Sequence, residues 1–166
     1  MRPTPEQYAE FVRGLQLQSV KLTRGEMRAD RDSVELQALK LDISDEASYQ
    51  PADQGFEVRH SYTLDFNERE GGKACCGAIS ATFALRFTSE RPLDDDTFEI
   101  FWHVNLAVNT WPYWREFVQS SLARMGWPTL TVPLLKQNAA IPPKPREQTA
   151  VKTSRKTSGT TGKKAG

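Results

Sequence analysis

Residues 110–132 have the sequence TWPYWREFVQSSLARMGWPTLTV, which predicts a helix whose beginning and end are both marked. Pro112 suits the first turn of a helix, because its missing N–H has no partner to lose there. Gly126 followed by Pro128 is a stop signal at the other end. We expect this helix to pack on an apolar surface, because apolar or small residues recur at spacings of three and four. The predicted stripe consists of Trp114, Phe117, Val118, Ser121, Leu122 and Met125.

Charge is distributed unevenly along the 166 residues. Residues 137–166 contain seven basic residues and one acidic residue, a net charge of +6, so residues 1–136 carry −5 of the formal total of +1. The terminal segment has three prolines and no aromatic residue, which is too little apolar surface to offset chain entropy. We therefore predict one folded domain over residues 1–136 and a disordered basic tail over residues 137–166.

The basic tail has two interpretations. Clusters of Lys and Arg can neutralise phosphates or anionic lipid head groups. Single-stranded bases, however, bind by stacking on aromatic residues, which the tail lacks. We favour a solvating role for the tail and expect no nucleic-acid partner and no stable membrane insertion.

The cysteines and the N-terminal residues indicate the cellular compartment of the protein. Cys75 and Cys76 are adjacent, so on a strand they point to opposite faces and are poorly placed to pair. Unpaired thiols are typical of a reducing cytoplasm. Residues 1–6 lack the apolar core of a signal peptide, and no window approaches the apolar length that spans a membrane. These observations predict a cytoplasmic protein.

Alternating apolar residues predict an antiparallel sheet. Every second residue from 56 to 66 lies on one face, and residues 75–87 repeat the pattern after a glycine pair at 71–72. These two runs predict a long hairpin whose core face includes His60 and, in the second run, Cys75. Weaker alternation predicts strands at 15–22 and 34–43.

Helical signals stand on either side of this β-rich region. Thr4, Pro5 and Gln7 form a capping-box pattern and predict a short N-terminal helix. The three aspartates at 94–96 suit the cap and first turn of another helix. This order of elements favours an α+β domain with one antiparallel sheet covered by helices on one face. The other face carries small and polar residues, and we expect the sheet to oligomerise.

Residues that could perform catalysis or bind a metal are few. His60 and His103 are the only histidines, and neither has a metal-binding spacing. His60, on the apolar side of a strand, is predicted to be a hydrogen-bonded core or interface residue. Residues 157–164 look like a phosphate-binding loop, but the motif's first glycine and final Ser or Thr are missing. We predict no catalytic, metal-binding or cofactor-binding residue and no enzyme activity.

Five residues in and after the helix at 110–125 form a specific pattern. A Pro-Tyr pair follows an aromatic residue, Arg and Glu come after one variable position, and a second proline precedes alternating Leu and Val. This pattern resembles the C-terminal signature of SecB-type chaperones, and the order of elements agrees over residues 4–136. The signature residues are Pro112, Tyr113, Arg115, Glu116 and Pro128.

The resemblance implies a fold, an activity and an assembly. The fold is SecB-like, with a four-stranded antiparallel sheet, helices on one face and oligomerisation through the sheet. The activity is that of an ATP-independent chaperone, a holdase, which keeps unfolded or precursor proteins ready for export and delivers them to the SecA motor. The assembly is a homotetramer arranged as a dimer of dimers, and no cofactor is implied.

The excess of large aromatic residues around the helices is interpreted as a client surface. Extended apolar segments of a client would lie in grooves between the helices and the sheet, and many weak contacts would add up on one oligomer. Within the signature, Pro112, Arg115 and Glu116 are predicted to shape the helix. The predicted client-binding residues are Trp102, Trp111, Tyr113 and Trp127.

Two alternatives stay open at this point. Residues 130–135, LTVPLL, the N-terminal helix and the basic tail are closer to SecB-like proteins that serve as dedicated chaperones of one antitoxin in a toxin–antitoxin system. From another class, a sheet with a long helix can enclose a cavity for a small ligand or an enzyme active site. An enclosed pocket with convergent polar groups would favour this last alternative.

Overall fold

A computed structural model describes residues 2–69 and 75–132 of the chain. The predicted tail at 137–166 and the glycine pair at 71–72 lie outside these residues. None of the helices in the two ranges has the length and hydropathy needed to cross a membrane. The elements are α1 (Pro5–Arg13), β1 (Leu15–Ala29), a 3₁₀ turn (Leu36–Ala38), β2 (Leu39–Ala52), β3 (Gly55–Glu68), β4 (Cys75–Ser89), α2 (Asp95–Phe101), a π-helical segment (Trp102–Leu106) and α3 (Ala107–Arg124).

The four strands form one antiparallel sheet in the order β1, β4, β3, β2. The central pair is β3 and β4, the hairpin predicted from the two clear alternations. The edge strands are β1 and β2. The first continues to Ala29, beyond its predicted end, and the second begins only at Leu39, after the 3₁₀ turn. The predicted α+β class, with a four-stranded sheet and helices on one face, is confirmed.

The core lies between the helices and the face of the sheet that carries the alternating residues. In β3 every second residue from Phe56 to Phe66 is buried, whereas most of the residues between them are partly exposed. At one end of the core, Phe11 of α1 and Phe101 of α2 lie with ring centroids 6.3 and 6.1 Å from Phe56. Each such ring contributes roughly 1.5–3 kcal/mol through burial. The sheet and all three helices therefore share one core.

The two cysteines depart from the predicted alternation. The pattern predicts Cys75 on the core face, but Cys76 is the buried residue of the two. The reason is a shift of one residue in the pairing of β3 with β4, between Phe66 and Asn67. Neither cysteine forms a disulfide within the part of the chain that the structure describes.

Both predicted N-caps are present. Thr4 Oγ1 accepts the backbone N–H of Gln7, and the Gln7 side chain accepts the backbone N–H of Thr4. At the start of α2, the Asp94 carboxylate accepts the backbone N–H of Thr97 at 2.8 Å. This bond lowers the pKa of Asp94 below its ordinary value, because it favours the ionised form.

The predicted beginning of the main helix is wrong. α2, the π-helical segment and α3 form one continuous run from Asp95 to Arg124, and Pro112 lies inside it. Proline cannot donate to the carbonyl of Val108, four residues back, so the helix lacks one hydrogen bond at this position. The predicted end is confirmed, since Gly126 follows the helix with a φ of +69°, which favours glycine.

Candidate functional site

The predicted apolar stripe attaches α3 to the sheet. The Trp114 ring stacks on Tyr62 with 5.3 Å between ring centroids, and Val118 and Leu122 are fully buried beside it. Phe117, at the border of the stripe, is partly buried. This contact leaves one side of the helices next to β2 and the other side next to β1 and β4.

The side next to β2 carries two indole rings. Trp102 Nε1 donates to Asp45 Oδ2 of β2 at 2.8 Å. Trp111 lies edge-on to Tyr62 of β3, with 5.7 Å between ring centroids. Ile43 shares the helix-facing side of β2 with Asp45 and is 45% exposed. We call Ile43, Trp102 and Trp111 the β2 flank, an apolar surface that solvent reaches.

The opposite side carries Tyr113. Its ring is 51% exposed and lies 6.3 Å from that of Phe83 in β4. Leu22 of β1 pairs with Phe83 and is 50% exposed. Phe117 approaches β1 so closely at Gly25 that an added Cβ atom would lie 2.7 Å from its ring. We call Leu22, Tyr113 and Phe117 the β1 flank.

The π-helical segment explains why Trp102 and Tyr113 lie on different flanks. They are eleven residues apart, which is about three turns of an α-helix, so a regular helix would align them. The π-helical turn between Trp102 and Leu106 adds a residue to the helix. One added residue rotates Trp102 by about 100° relative to α3. The ring is thereby directed to β2.

Trp127 is buried under the end of the sheet. Its ring is 4% exposed and packs edge-on to Phe66 at 5.2 Å, and its Nε1 donates to the Arg31 carbonyl at 3.1 Å. A ring that is covered in this way presents no surface to a client. We therefore omit Trp127 from the surface proposed below, although the sequence placed it there.

The signature residues lie on the outer side of α3 and just after it. Arg115 Nε donates to the Val132 carbonyl at 2.8 Å, so it attaches the segment after the helix to the helix itself. Pro112, Glu116 and Pro128 are exposed. The shaping role of Pro112, Arg115 and Glu116 stays a prediction.

A buried polar cluster lies beneath the β2 flank. His60 Nε2 lies 2.9 Å from Asp45 Oδ2, and its Nδ1 lies 3.0 Å from Thr110 Oγ1. Thr110 Oγ1 also shares a 2.8 Å hydrogen bond with the Tyr62 hydroxyl and lies 3.2 Å from the Leu106 carbonyl. The bond with His60 lowers the pKa of Asp45, and burial raises the pKa of Tyr62. The prediction that His60 is a hydrogen-bonded core residue is confirmed.

The chemistry open to this cluster is limited by burial. Asp45, His60 and Thr110 have the order of a carboxylate–imidazole–hydroxyl triad. Such a triad needs a hydroxyl that a substrate can reach, but Thr110, on the sheet-facing side of α3, is fully buried. Within residues 2–69 and 75–132, no group of three His, Cys, Asp or Glu side chains is placed to hold a metal ion. The cluster joins sheet and helices and serves a positioning task.

The sequence reasoning missed two members of this cluster. Asp45 occupies a helix-facing position of β2, in phase with the apolar residues Leu41, Ile43 and Ala47. The sequence did contain one indication of this position, since Asp45 is a single charged residue among alternating apolar residues. Thr110 gave a misleading signal, because it stood next to Pro112 at the predicted start of the helix.

Comparisons with known proteins bear on the fold of the chain. No family model and no curated protein matches the chain. The structure is similar to that of the Mycobacterium tuberculosis SecB-like chaperone Rv1957 in complex with a ChAD peptide from the Rv1956 HigA1 antitoxin. The TM-score is 0.66 at 21% sequence identity, and the match covers 76% of this chain and 94% of that chain. A protein of unknown function from Streptococcus agalactiae matches with a TM-score of 0.33 at 10% identity, covering 72% of this chain and 97% of that one. The first likeness confirms the SecB-like fold that the signature implied.

Proposed function

We propose that this protein is an ATP-independent chaperone, a holdase, that binds unfolded client segments along the β2 flank. The observation that carries the proposal is the apolar surface of that flank, where Ile43 is exposed and Trp102 and Trp111 are partly exposed, on a chain with the SecB-like fold. Indole rings offer a large contact area that tolerates many client sequences. An extended client would present every second side chain to Ile43 and Trp111. Weak contacts of this kind gain strength when several flanks act on one assembly.

The β1 side of the molecule is assigned to assembly. β1 is an edge strand, and its helix-facing residues Leu17, Leu22 and Met27 are exposed. An edge strand with exposed apolar side chains is a ready template for another chain. We propose that protomers meet here in a homotetramer, a dimer of dimers. Tyr113 of the β1 flank borders this surface, and we propose that its ring, which is 51% exposed, stays outside the protomer interface and forms a second contact for clients.

Two client classes fit the proposal. A dedicated antitoxin is favoured by one specific observation, since the SecB-like chaperone of similar structure was solved with an antitoxin peptide. Export precursors, passed on to SecA, form the second class, and the charge of −5 on residues 1–136 supports contact with a basic docking surface. Both roles belong in the cytoplasm. The absence of a disulfide at Cys75 and Cys76 in the described residues supports that location.

A small-ligand carrier or enzyme is the less favoured function. The space between sheet and helices is filled by side chains, among them Phe101, Leu106 and Trp114, which are fully buried. A cleft of about 650 Å³ lies elsewhere, beside the 3₁₀ turn and the end of β3. A second cleft of about 610 Å³ lies on the outer face of the sheet. The proposal therefore assigns no catalysis to this chain.

Peptide binding without ATP tests the proposed client surface. The probe is a fluorescein-labelled extended peptide in which Phe and Leu alternate with Ser and Gln, and fluorescence anisotropy measures its affinity. We expect Trp111→Ala to weaken binding about tenfold, because the partly exposed indole contributes roughly 1.5 kcal/mol when a client covers it. Trp111→Phe is the matched control, which keeps an aromatic ring and most of the affinity.

Three further measurements separate the parts of the proposal. Analytical ultracentrifugation reports the tetramer, and purification of the full chain with its bound proteins distinguishes one antitoxin from a mixture of export precursors with SecA. Suppression of the aggregation of an unfolded protein, without ATP, tests the holdase activity. A monomer that neither binds the peptide nor suppresses aggregation would overturn the proposal.

A further inference from the structure

One carboxylate oxygen joins the β2 flank to the buried core. Asp45 Oδ2 accepts the indole N–H of Trp102 at 2.8 Å and lies 2.9 Å from Nε2 of His60. The Asp45 side chain is 42% exposed, whereas His60 is completely buried. The carboxylate thus stands at the boundary between the solvent-facing surface and the core.

The donors and acceptors fix the direction of both bonds. A carboxylate only accepts and an indole nitrogen only donates, so Nε2 of His60 carries the proton that it shares with Asp45. On the other side of the imidazole ring, Nδ1 meets the Thr110 hydroxyl of α3 at 3.0 Å. His60 is therefore held from β2 and from α3 at once, and it holds the Asp45 carboxylate in one orientation.

Trp102 depends on this carboxylate at its polar edge. Its ring lies between neighbours of the same helical run, 6.4 Å from Phe98 and 4.8 Å from His103 between centroids. These contacts limit the tilt of the ring. The hydrogen bond to Asp45 sets the direction in which its edge points, and bonds to a charged acceptor are about twice as strong as neutral ones.

We infer that Asp45 is a positioning residue for client binding, which fixes the Trp102 ring in the β2 flank and is itself fixed by His60. The inference rests on the proposed function of that flank and adds the residue that sets its shape. A ring that is already held in place loses less freedom when the client arrives, and the affinity is correspondingly higher.

Three variants separate positioning from charge and from general stability. Asp45→Ala removes the acceptor. Asp45→Asn removes only the charge, because both bonds use one oxygen atom and the single amide oxygen of Asn can accept both. Asp42→Ala is the matched control on the outer face of the same strand, where the carboxylate also accepts two bonds, from Lys40 at 2.9 Å and Asn67 at 3.1 Å.

The experiment combines a spectroscopic signal with binding in the full chain. The indole N–H resonances of the four tryptophans are recorded by NMR, and Trp102→Phe identifies that of Trp102. We expect Asp45→Ala to shift the Trp102 resonance most and to weaken binding of the fluorescein-labelled peptide roughly three- to tenfold. Asp45→Asn restores most of the affinity, and Asp42→Ala changes neither signal.

The outcomes distinguish this inference from the proposed function. If folded Asp45→Ala binds the peptide as tightly as the wild type, the inference is overturned and the proposed function stands. Equal weakening by Asp42→Ala also overturns it, because the loss would then reflect general destabilisation. A wild-type chain that does not bind the peptide overturns the proposed function and the inference together.

Discussion

α3 carries two buried hydroxyl groups, those of Thr110 and Ser121. We expect the removal of one to lower the free energy of unfolding and the removal of the other to raise it. Thr110 Oγ1 contacts the His60 imidazole at 3.0 Å and the Tyr62 hydroxyl at 2.8 Å, and both partners are buried. Ser121 Oγ is also buried but has no hydrogen-bond partner among the described residues. Thr110→Val and Ser121→Ala remove these hydroxyls with almost no change in side-chain shape.

The expected magnitudes follow from the groups left behind. Thr110→Val leaves the Tyr62 hydroxyl and Nδ1 of His60 without a partner, while Nε2 of His60 keeps its bond to Asp45. A buried polar group left unpaired costs about 1–3 kcal/mol. Because the two share one network, we expect a total loss of about 2–4 kcal/mol rather than a simple sum. Ser121→Ala removes a hydroxyl that is already unsatisfied and improves helix propensity, so we expect a gain of about 0.5–1.5 kcal/mol.

Urea unfolding, followed by circular dichroism at one fixed protein concentration, measures both changes. The fixed concentration matters because assembly would add to the apparent stability. We expect the slope of the unfolding free energy against urea concentration to stay the same in both variants. The urea concentration at the unfolding midpoint should fall for Thr110→Val and rise for Ser121→Ala. Equal destabilisation by both variants, or a Thr110→Val protein as stable as the wild type, would refute the reasoning from hydrogen-bond satisfaction.

Three further predictions concern a cap, a carboxylate and a close approach. Asp94→Ala removes the N-cap of α2 and lowers the free energy of unfolding by about 1 kcal/mol, whereas Asp94→Asn keeps the cap; thermal unfolding compares them. The pKa of Asp45 in the folded protein lies below its ordinary value of 3.8, so its stabilising contribution is present above that value and is lost as the pH falls below it. Urea unfolding at several pH values below about pH 4 therefore shows a smaller decrease in the free energy of unfolding with falling pH for Asp45→Asn than for the wild type. Gly77→Ala brings a Cβ atom to 2.4 Å from a backbone carbonyl oxygen of β1 and costs about 2 kcal/mol or more by urea unfolding, while Gly25→Ala meets only a side-chain ring and costs less.

The central strands could be predicted because burial on one face imposes a period of two. From Phe56 to Phe66 every helix-facing position is apolar or, at His60, hydrogen-bonded in the core. The edge strand β1 gave a weaker signal, because most of its residues are exposed on both faces and no alternation is enforced. Its second half, from residue 23 to Ala29, forms a strand through pairing with β4, which a local pattern does not report.

The two ends of the main helix also differ in how well the sequence predicts them. One end is set by a local backbone conformation, and the other by packing against the rest of the protein. Gly126 marks the end reliably, because a positive φ is a local requirement. Pro112 marked the beginning wrongly, because the burial of Trp114, Val118 and Leu122 against the sheet outweighs the cost of a proline inside the helix. The family signature was right about the fold, since it recognised a combination of residues without needing to locate the helix start.

The sequence did not reveal the arrangement of the residues proposed to bind clients, and one of the four predicted, Trp127, is buried. Spacing along a regular helix groups Trp102 with Tyr113, whereas the structure places Trp102 on the β2 flank. The cause of this arrangement is the π-helical turn. Two polar side chains contact backbone carbonyls of this turn. Asn109 Nδ2 donates to the Asn105 carbonyl at 2.9 Å, and Thr110 Oγ1 lies 3.2 Å from the Leu106 carbonyl. Thr110 Oγ1 also lies 3.0 Å from Nδ1 of His60, which links this part of the helix to the sheet. The direction of one surface indole is therefore decided by buried groups that no helical spacing reveals.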